Sequence, residues 1–290
     1  MNWKTVNGSN LKQIAVGTVA IITICALTSC GLMQVAKGAI VNKTEIIPTT
    51  YPSTVSDARQ YGVPTGYVKT AYQVKLADST DKPTAKDMSA EEAAELGAQN
   101  LWRLFGVNMD GKTVEMTYRP ATAVQPRAEW MGSVTFDENL DYWFVVDAIT
   151  GEYRSTHKSK YWNENINTGM DKDLLNNHEQ YTALAKETAE KYQLVSGQVV
   201  SVEYGSQGAT RNAAGAKNAD ITMMVKSDNG QQAQLTFSRY NQEFLSVEYD
   251  SWLKDAEELE KEITKEVRKK AQERPQESTG DPILTIDYSC

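Results

Sequence analysis

The run Tyr142–Arg154 (YWFVVDAITGEYR) constrains this chain more tightly than any other stretch. Aromatic and β-branched residues alternate through Trp143, Phe144, Val145 and Val146, so the segment reads as a strand with both faces used. Asp147-Ala-Ile-Thr-Gly-Glu152 follows as a tight connection. Gly151 can take the left-handed backbone conformation that a short hairpin requires, and Tyr153 opens the returning strand.

Upstream, Ser89-Ala-Glu-Glu92 has the pattern of a helix start, with Ser89 as N-cap and Glu92 reaching back in a capping box. Ala94, Ala98, Leu101 and Phe105 recur at helical spacing, and the alanines allow a close approach to a sheet. Four strand-like runs come after Gly106: Lys112–Tyr118, Glu129–Phe136, Leu140–Asp147 and Glu152–His157. A helix followed by antiparallel strands is an α+β unit, its helix covering one face of the sheet.

The second half repeats this plan at a constant shift of 91 residues. Gly197 falls on Gly106; Ala185, Ala189 and Tyr192 fall on Ala94, Ala98 and Leu101; Ile221 and Val225 fall on Trp130 and Val134; Glu243-Phe244 falls on Glu152-Tyr153. One shift that aligns both helix and hairpin is better evidence than either match alone. It predicts a helix over Asp171–Gln193 and strands over Gln198–Tyr204, Asp220–Ser227, Gln231–Phe237 and Glu243–Tyr249, with Asp228-Asn-Gly230 as a hairpin turn. The Gly-rich segment Gly205–Gly215 reads as a mobile hairpin loop. It precedes a strand and so lacks the helix N-terminus that a phosphate site uses.

The first unit, from the helix Ser89–Phe105 through Trp130 to the Asp147-Ala-Ile-Thr-Gly151-Glu turn, resembles a PepSY domain over about 70 residues. The hallmark of that family is a helix, then a sheet ending in a hydrophobic strand and an Asp-x-x-Thr-Gly-Glu-type turn. The second unit departs from it: Ser238, Asn241 and Gln242 stand where the first has Asp147, Thr150 and Gly151. It is a degenerate copy or a related cystatin-like unit. The resemblance implies an extracytoplasmic module of a bacterial envelope that inhibits or modulates a partner enzyme such as a peptidase. It implies no catalytic residues.

The net charge of −8 and the lack of a basic run exclude nucleic acid as the main partner. Near the N-terminus, Ile14–Met33 carries no charge, a length that spans a bilayer as a helix. Leu27-Thr-Ser-Cys30 resembles a lipobox, which makes Cys30 the candidate lipidated residue, and Ile14–Leu27 has signal-peptide length. Leu32–Val41 stays fairly apolar after Cys30, as an uncleaved membrane helix would. Lipoprotein, single membrane helix and plain secretion all export the remainder, and Lys4 and Lys12 favour an inside N-terminus for the uncleaved form. Beyond the anchor only Cys290 remains, so there is no disulfide framework.

Nothing in the spacing of titratable residues indicates catalysis, a cofactor or a metal. His157 and His178 are the only histidines and stand in no metal-ligand pattern; both read as solvent-exposed structural residues. Gly205-Ser-Gln-Gly208 lacks the pattern of a nucleophile elbow. Asp147 and Glu152 flank one turn, where capping of that turn is favoured over a cation site. The candidate binding residues are the aromatics of the first sheet, Trp130, Tyr142, Trp143 and Trp162, with Tyr161 beside them; core packing is the competing role. Ser251–Glu273 is a regular helix whose stripe Trp252, Ala256, Leu259, Ile263 and Val267 either packs on the second sheet or forms a coiled-coil seam with a partner. Asp281–Tyr288 reads as a last strand.

The expected architecture is therefore α+β: an anchor over 1–41, a linker with an edge strand over 42–87, one helix-plus-sheet unit over 88–165, a second over 166–250, and a C-terminal helix and tail over 251–290. The expected function is a membrane-anchored, extracytoplasmic, non-enzymatic module that binds and modulates a partner protein. The alternative is a lipoprotein that holds a small ligand or peptide between its two units.

Overall fold

The computed structural model describes residues 61–78, 81–122 and 125–273. The expected anchor with Cys30, the first part of the linker and the run Asp281–Tyr288 lie outside them. In chain order the elements are β1 (Gln73–Leu76), α1 (Ala90–Phe105), β2 (Thr113–Arg119), β3 (Glu129–Asp137), β4 (Leu140–Asp147), β5 (Tyr153–Lys160), α2 (Lys172–Asn176), α3 (Glu179–Tyr192), β6 (Val199–Arg211), β7 (Lys217–Ser227), β8 (Gln232–Ser238), β9 (Phe244–Glu248) and α4 (Asp250–Glu273).

Helix α1 forms where its ends are satisfied. Ser89 Oγ accepts from the Glu92 amide, Glu92 Oε2 accepts from the Ser89 amide at 2.9 Å, and Gly106 closes the helix at φ 65°. Its buried face is Ala90, Ala94, Ala98 and Leu101, small enough to bring the helix down onto the sheet. The approach is closest at Gly97. The buried ring of Phe144 lies between Gly97 of α1 and Gly132 of β3, and a β-carbon on either glycine would overlap it.

Two expected boundaries move. The helix predicted over 171–193 is interrupted at Asn177-His178, because Asn176 and Asn177 compete with the helical backbone for hydrogen bonds. The segment read as a mobile loop, Gly205–Gly215, is instead mostly the far half of β6, paired with β7 out to Arg211 opposite Lys217. Its glycines serve close approach: a β-carbon on Gly205 would press on the Thr222 carbonyl, and one on Gly208 on the Asp220 carboxylate.

The strands make one nine-stranded sheet in the order β1-β2-β3-β4-β5-β9-β8-β7-β6. Two separate sheets were expected, and the sequence shows no signal for the β5–β9 pairing that fuses them. β1 adds at one edge, parallel to β2. Across the junction Ser155 faces Glu248, Thr156 faces Val247 and His157 faces Ser246. Since 155, 156 and 157 correspond to 246, 247 and 248 at the shift of 91, this pairing is its own inverse. An approximate twofold axis therefore passes between Thr156 and Val247, with the strand order mirrored on either side.

The repeat extends to single hydrogen bonds. The Ala148 amide donates to Ala128 O, and the Arg239 amide to Ala219 O; Asp147 N donates to Glu152 O, and Ser238 N to Glu243 O; Gly151 N donates to Asp147 O, and Gln242 N to Ser238 O. Each second bond lies 91 residues after the first. The bulge between Val145 and Val146 on β4–β5 likewise recurs between Thr236 and Phe237 on β8–β9.

Helices α1 and α3 cover one face of the sheet, over a core that includes Trp130, Phe144, Val146, Ile221, Leu235, Phe237 and Val247. A buried polar contact locks the halves together beneath them. Asn100 donates to Thr156 Oγ1 at 2.7 Å and to Tyr249 Oη at 3.1 Å, while Arg103 donates to Tyr192 O at 2.7 Å and stacks on Tyr61 at 4.0 Å. Helix α4 packs on β8 and β5 and bonds Gln232 and Arg154, whose side chains lie on the opposite face.

Candidate functional site

The turn after β4 is held by one carboxylate. Asp147 is fully buried; its Oδ1 accepts from the amides of Ile149 (2.9 Å) and Thr150 (2.8 Å), and its Oδ2 faces Arg127 Nη1 at 3.4 Å. Gly151 sits at φ 76°. Asp147 thus caps its own turn and is neutralised by a cation from the β2–β3 connection. In turn Ala148 O accepts from the Met88 amide at 2.7 Å, and Met88 O accepts from Trp130 Nε1 at 2.9 Å, so this turn places the start of α1.

Two arginines extend the turn to α4. Arg127 Nε donates to Asp255 Oδ2 at 3.0 Å, and its Nη1 faces Glu152 Oε2 at 3.5 Å. Arg154, 2% exposed, donates from Nε to Glu129 Oε1 at 3.0 Å and from Nη2 to Asp255 Oδ2 at 2.8 Å, with Trp252 stacked at 5.4 Å. Burial pushes the Glu129 carboxyl up and Arg154 opposes it. Burial pulls Arg127 down, but Asp255, Glu152 and Asp147 outweigh it and raise the guanidinium. Ion pairs this deep stabilise little by themselves, yet breaking one strands its partner.

Around the twofold axis, on the face away from α1 and α3, stand Ser155, His157, Ser246 and Glu248. Trp143 stacks on His157 at 3.6 Å between centroids and 7° between planes. The second unit has Gln234 at the place of Trp143, donating to Glu248 Oε2 at 2.8 Å. Burial pushes His157 down to about 3 and Glu248 up to about 7, so the imidazole is neutral and the carboxyl half-protonated near neutrality. His157 Nε2 and Ser155 Oγ are buried without a hydrogen-bond partner.

The four aromatics proposed from sequence do not share a surface. Trp130 (1% exposed) and Tyr142 (5%) point into the helix-side core, where Trp130 meets Tyr118 and Tyr142 meets Phe105 and Phe136. These two are corrected to core residues: along β3 and β4 every second side chain faces α1, and both fall on that register. Trp143 is half-buried on the opposite face. Trp162 is half-buried past the end of β5, bridged to Lys217 and packed on Tyr240. His157 is corrected from solvent-exposed to half-buried. His178 is part-buried too, with Nδ1 3.2 Å from Leu174 O and its ring on Tyr204. The sequence reading missed Glu129, Arg154, Asp255 and Glu248; for Glu129, Arg154 and Glu248 the available signal was charge set inside otherwise strand-like runs, while Asp255 is one acidic residue among many on a charged helix.

The cleft between the halves, lined by Tyr61, Tyr153, Leu194 and Tyr249 among others, has a volume of about 30 Å³, room for about one water molecule. Among the described residues no group of three or more His, Cys, Asp or Glu is placed to hold a metal ion, and no helix is long and apolar enough to cross a membrane.

No family model and no curated protein matches the sequence. Among solved structures, the chain is similar to the Bacillus megaterium YpeB C-terminal domain at a TM-score of 0.34 and 9% identity, over 58% of this chain and 65% of that one.

Proposed function

We propose that this chain is an extracytoplasmic, membrane-anchored, non-enzymatic module that binds and modulates a partner protein, a peptidase or cell-wall hydrolase. The observation that carries the binding role is Trp143: an indole fixed by stacking on a neutral imidazole, on the face that α1 and α3 leave uncovered. An aromatic held in place in advance loses little freedom on contact, which suits it to anchor an interface. The anchor rests on Ile14–Met33 and Cys30, and the modulatory role on the PepSY-like turn. A ligand held between the units is the weaker reading, since the cleft lined by Tyr61, Tyr153, Leu194 and Tyr249 is small, about 30 Å³.

Capture from solubilised membranes with the full chain tests this. Wild type is expected to retain a hydrolase or peptidase, and Trp143→Ala to lose it while the domain stays folded. Equal capture by both removes this face from the interface.

A further inference from the structure

Tyr61 sits in a seat built by both units. Its ring stacks on Tyr153 at 6.2 Å between centroids and 24° between planes, and the Arg103 guanidinium lies 4.0 Å from the ring centre. Its hydroxyl donates to Gln193 O at 2.7 Å. Arg103 and Tyr153 belong to the first unit and Gln193 to the second.

The walls of this seat are fixed by contacts other than Tyr61. Arg103 donates to Asn100 Oδ1 from Nε at 3.0 Å and from Nη2 at 2.8 Å, to Tyr249 Oη at 2.9 Å and to Tyr192 O at 2.7 Å. All of these bonds use the edge of the guanidinium, which leaves its flat face to a ring. Tyr153 is buried and packed on Tyr249. Gln193 ends α3 at φ 51°, and a carbonyl at the end of a helix has no following helical amide to accept from. A seat set in advance in this way gives up little freedom when a ring enters it.

The strap that carries the ring is held less firmly. Tyr61 stands in a stretch, 61–72, without helix or strand; a β-carbon on Gly62 would meet nothing within 4 Å, and Val63 is 67% exposed. Release of such a segment is a local opening that leaves the core closed. Tyr61 also lines the cleft between the units beside Glu152, Leu194, Ser196 and Gln231, so a ring that leaves widens the cleft by its own volume.

We propose that this seat is a binding site for a tyrosine side chain of a partner polypeptide, and that Tyr61 fills it in cis until the partner's ring takes its place. The chemistry of the seat sets the class of ligand. A flat cation face takes an electron-rich ring, and a neutral carbonyl at the ring's far edge takes a hydroxyl donor, so phenylalanine would leave Gln193 O without that donor. The cis occupant enters on a polypeptide, which is the form the seat admits in trans. The site lies on the helix side of the sheet, opposite Trp143, and stands independently of that face.

Saturation-transfer NMR on the full chain tests the site, with N-acetyl-tyrosinamide as the probe. Tyr61→Gly empties the seat and is expected to bind the probe at least tenfold more tightly than wild type, whose own ring competes. N-acetyl-phenylalaninamide is expected to bind Tyr61→Gly about fivefold more weakly, for want of one hydrogen bond. A second measurement needs no variant: in wild type, saturating probe is expected to raise thermolysin cleavage before Val63 at least threefold by displacing the strap. Equal binding of the two amides, no gain in Tyr61→Gly, or cleavage unmoved by the probe overturns the proposal. Tighter binding of 4-methylphenol than of N-acetyl-tyrosinamide assigns the seat to free phenols and overturns it as well.

Discussion

His157 of β5 and Glu248 of β9 occupy the same place in the two halves of the sheet, 91 residues apart and on either side of one twofold axis. The fold desolvates both, with opposite consequences for pH. His157 titrates at about 3 when folded and near 6.5 when unfolded, so its contribution is complete above pH 6.5 and is lost as pH falls toward 3. Glu248 titrates at about 7 when folded and near 4.5 when unfolded, so its cost is absent below pH 4.5 and grows as pH rises through 7. Between about pH 4.5 and 6.5 the two slopes oppose. Glu248→Gln, which can still accept from Gln234, is expected to stabilise the protein by about 1 kcal/mol or more at pH 8 and hardly at all at pH 4.5. Urea unfolding at the two pH values measures this; equal effects at both would remove the titration from the account.

Phe144 sets the distance between α1 and the sheet. Its ring fills the space left by Gly97 and Gly132, so the expected effect of Gly97→Ala is overpacking of about 1–3 kcal/mol. Shortening the ring should relieve it: Phe144→Leu in the Gly97→Ala background is expected to cost less than the sum of the two single changes. Strictly additive losses in thermal unfolding would mean that Phe144 has room to swing aside.

The elements of this fold were legible because each obeys a local rule. Ser89 and Glu92 cap a helix, and Tyr142–Val146 alternate; even the repeat shows as a handful of aligned positions. The faces were not legible. Trp130 and Trp143 look alike in sequence, and only the register of β3 against β4 sends one into the core and the other away from it. The fusion at β5–β9 was hidden for a related reason, since Ser155 to His157 and Ser246 to Glu248 are polar on the face that meets at the axis. Nothing apolar announced a junction there. Arg154 and Glu129 were hidden because sequence distance conceals a buried pair.

Arg154 shields two carboxylates at once. Removing its guanidinium leaves Glu129, at 0% exposure, without the cation that lowers its pKa. Arg154→Met is expected to cost about 3–5 kcal/mol at pH 7. Adding Glu129→Gln should recover a large part of that loss, because the uncompensated charge is then gone. The same single variant leaves Asp255 with Arg127 as its remaining cation and should raise amide exchange in the first turns of α4 above that in β5. A double variant no more stable than Arg154→Met would show that packing against Trp252, and not charge, is what Arg154 supplies.

The second turn keeps the backbone of the first with poorer residues. Gln242 sits at φ 63° where the first unit has Gly151 at φ 76°, and a side chain in that region carries a cost of roughly 1 kcal/mol that glycine avoids. The Gln242 amide donates to Ser238 O at 2.9 Å through its backbone, a bond that glycine keeps. Gln242→Gly is therefore expected to stabilise the protein by about 0.5–1 kcal/mol, net of the freedom that glycine adds to the unfolded chain. Ser238→Asp in the same background restores the carboxylate that accepts two amides in the first unit, but no arginine stands where Arg127 does: residue 218 is Asn. Chemical denaturation of both variants separates the two effects. Gain from the glycine and none from the aspartate is the expected pattern, because backbone strain is relieved locally while a buried carboxylate needs its cation. A loss of stability in Gln242→Gly would mean that the positive φ costs nothing here and that the glutamine side chain holds the turn.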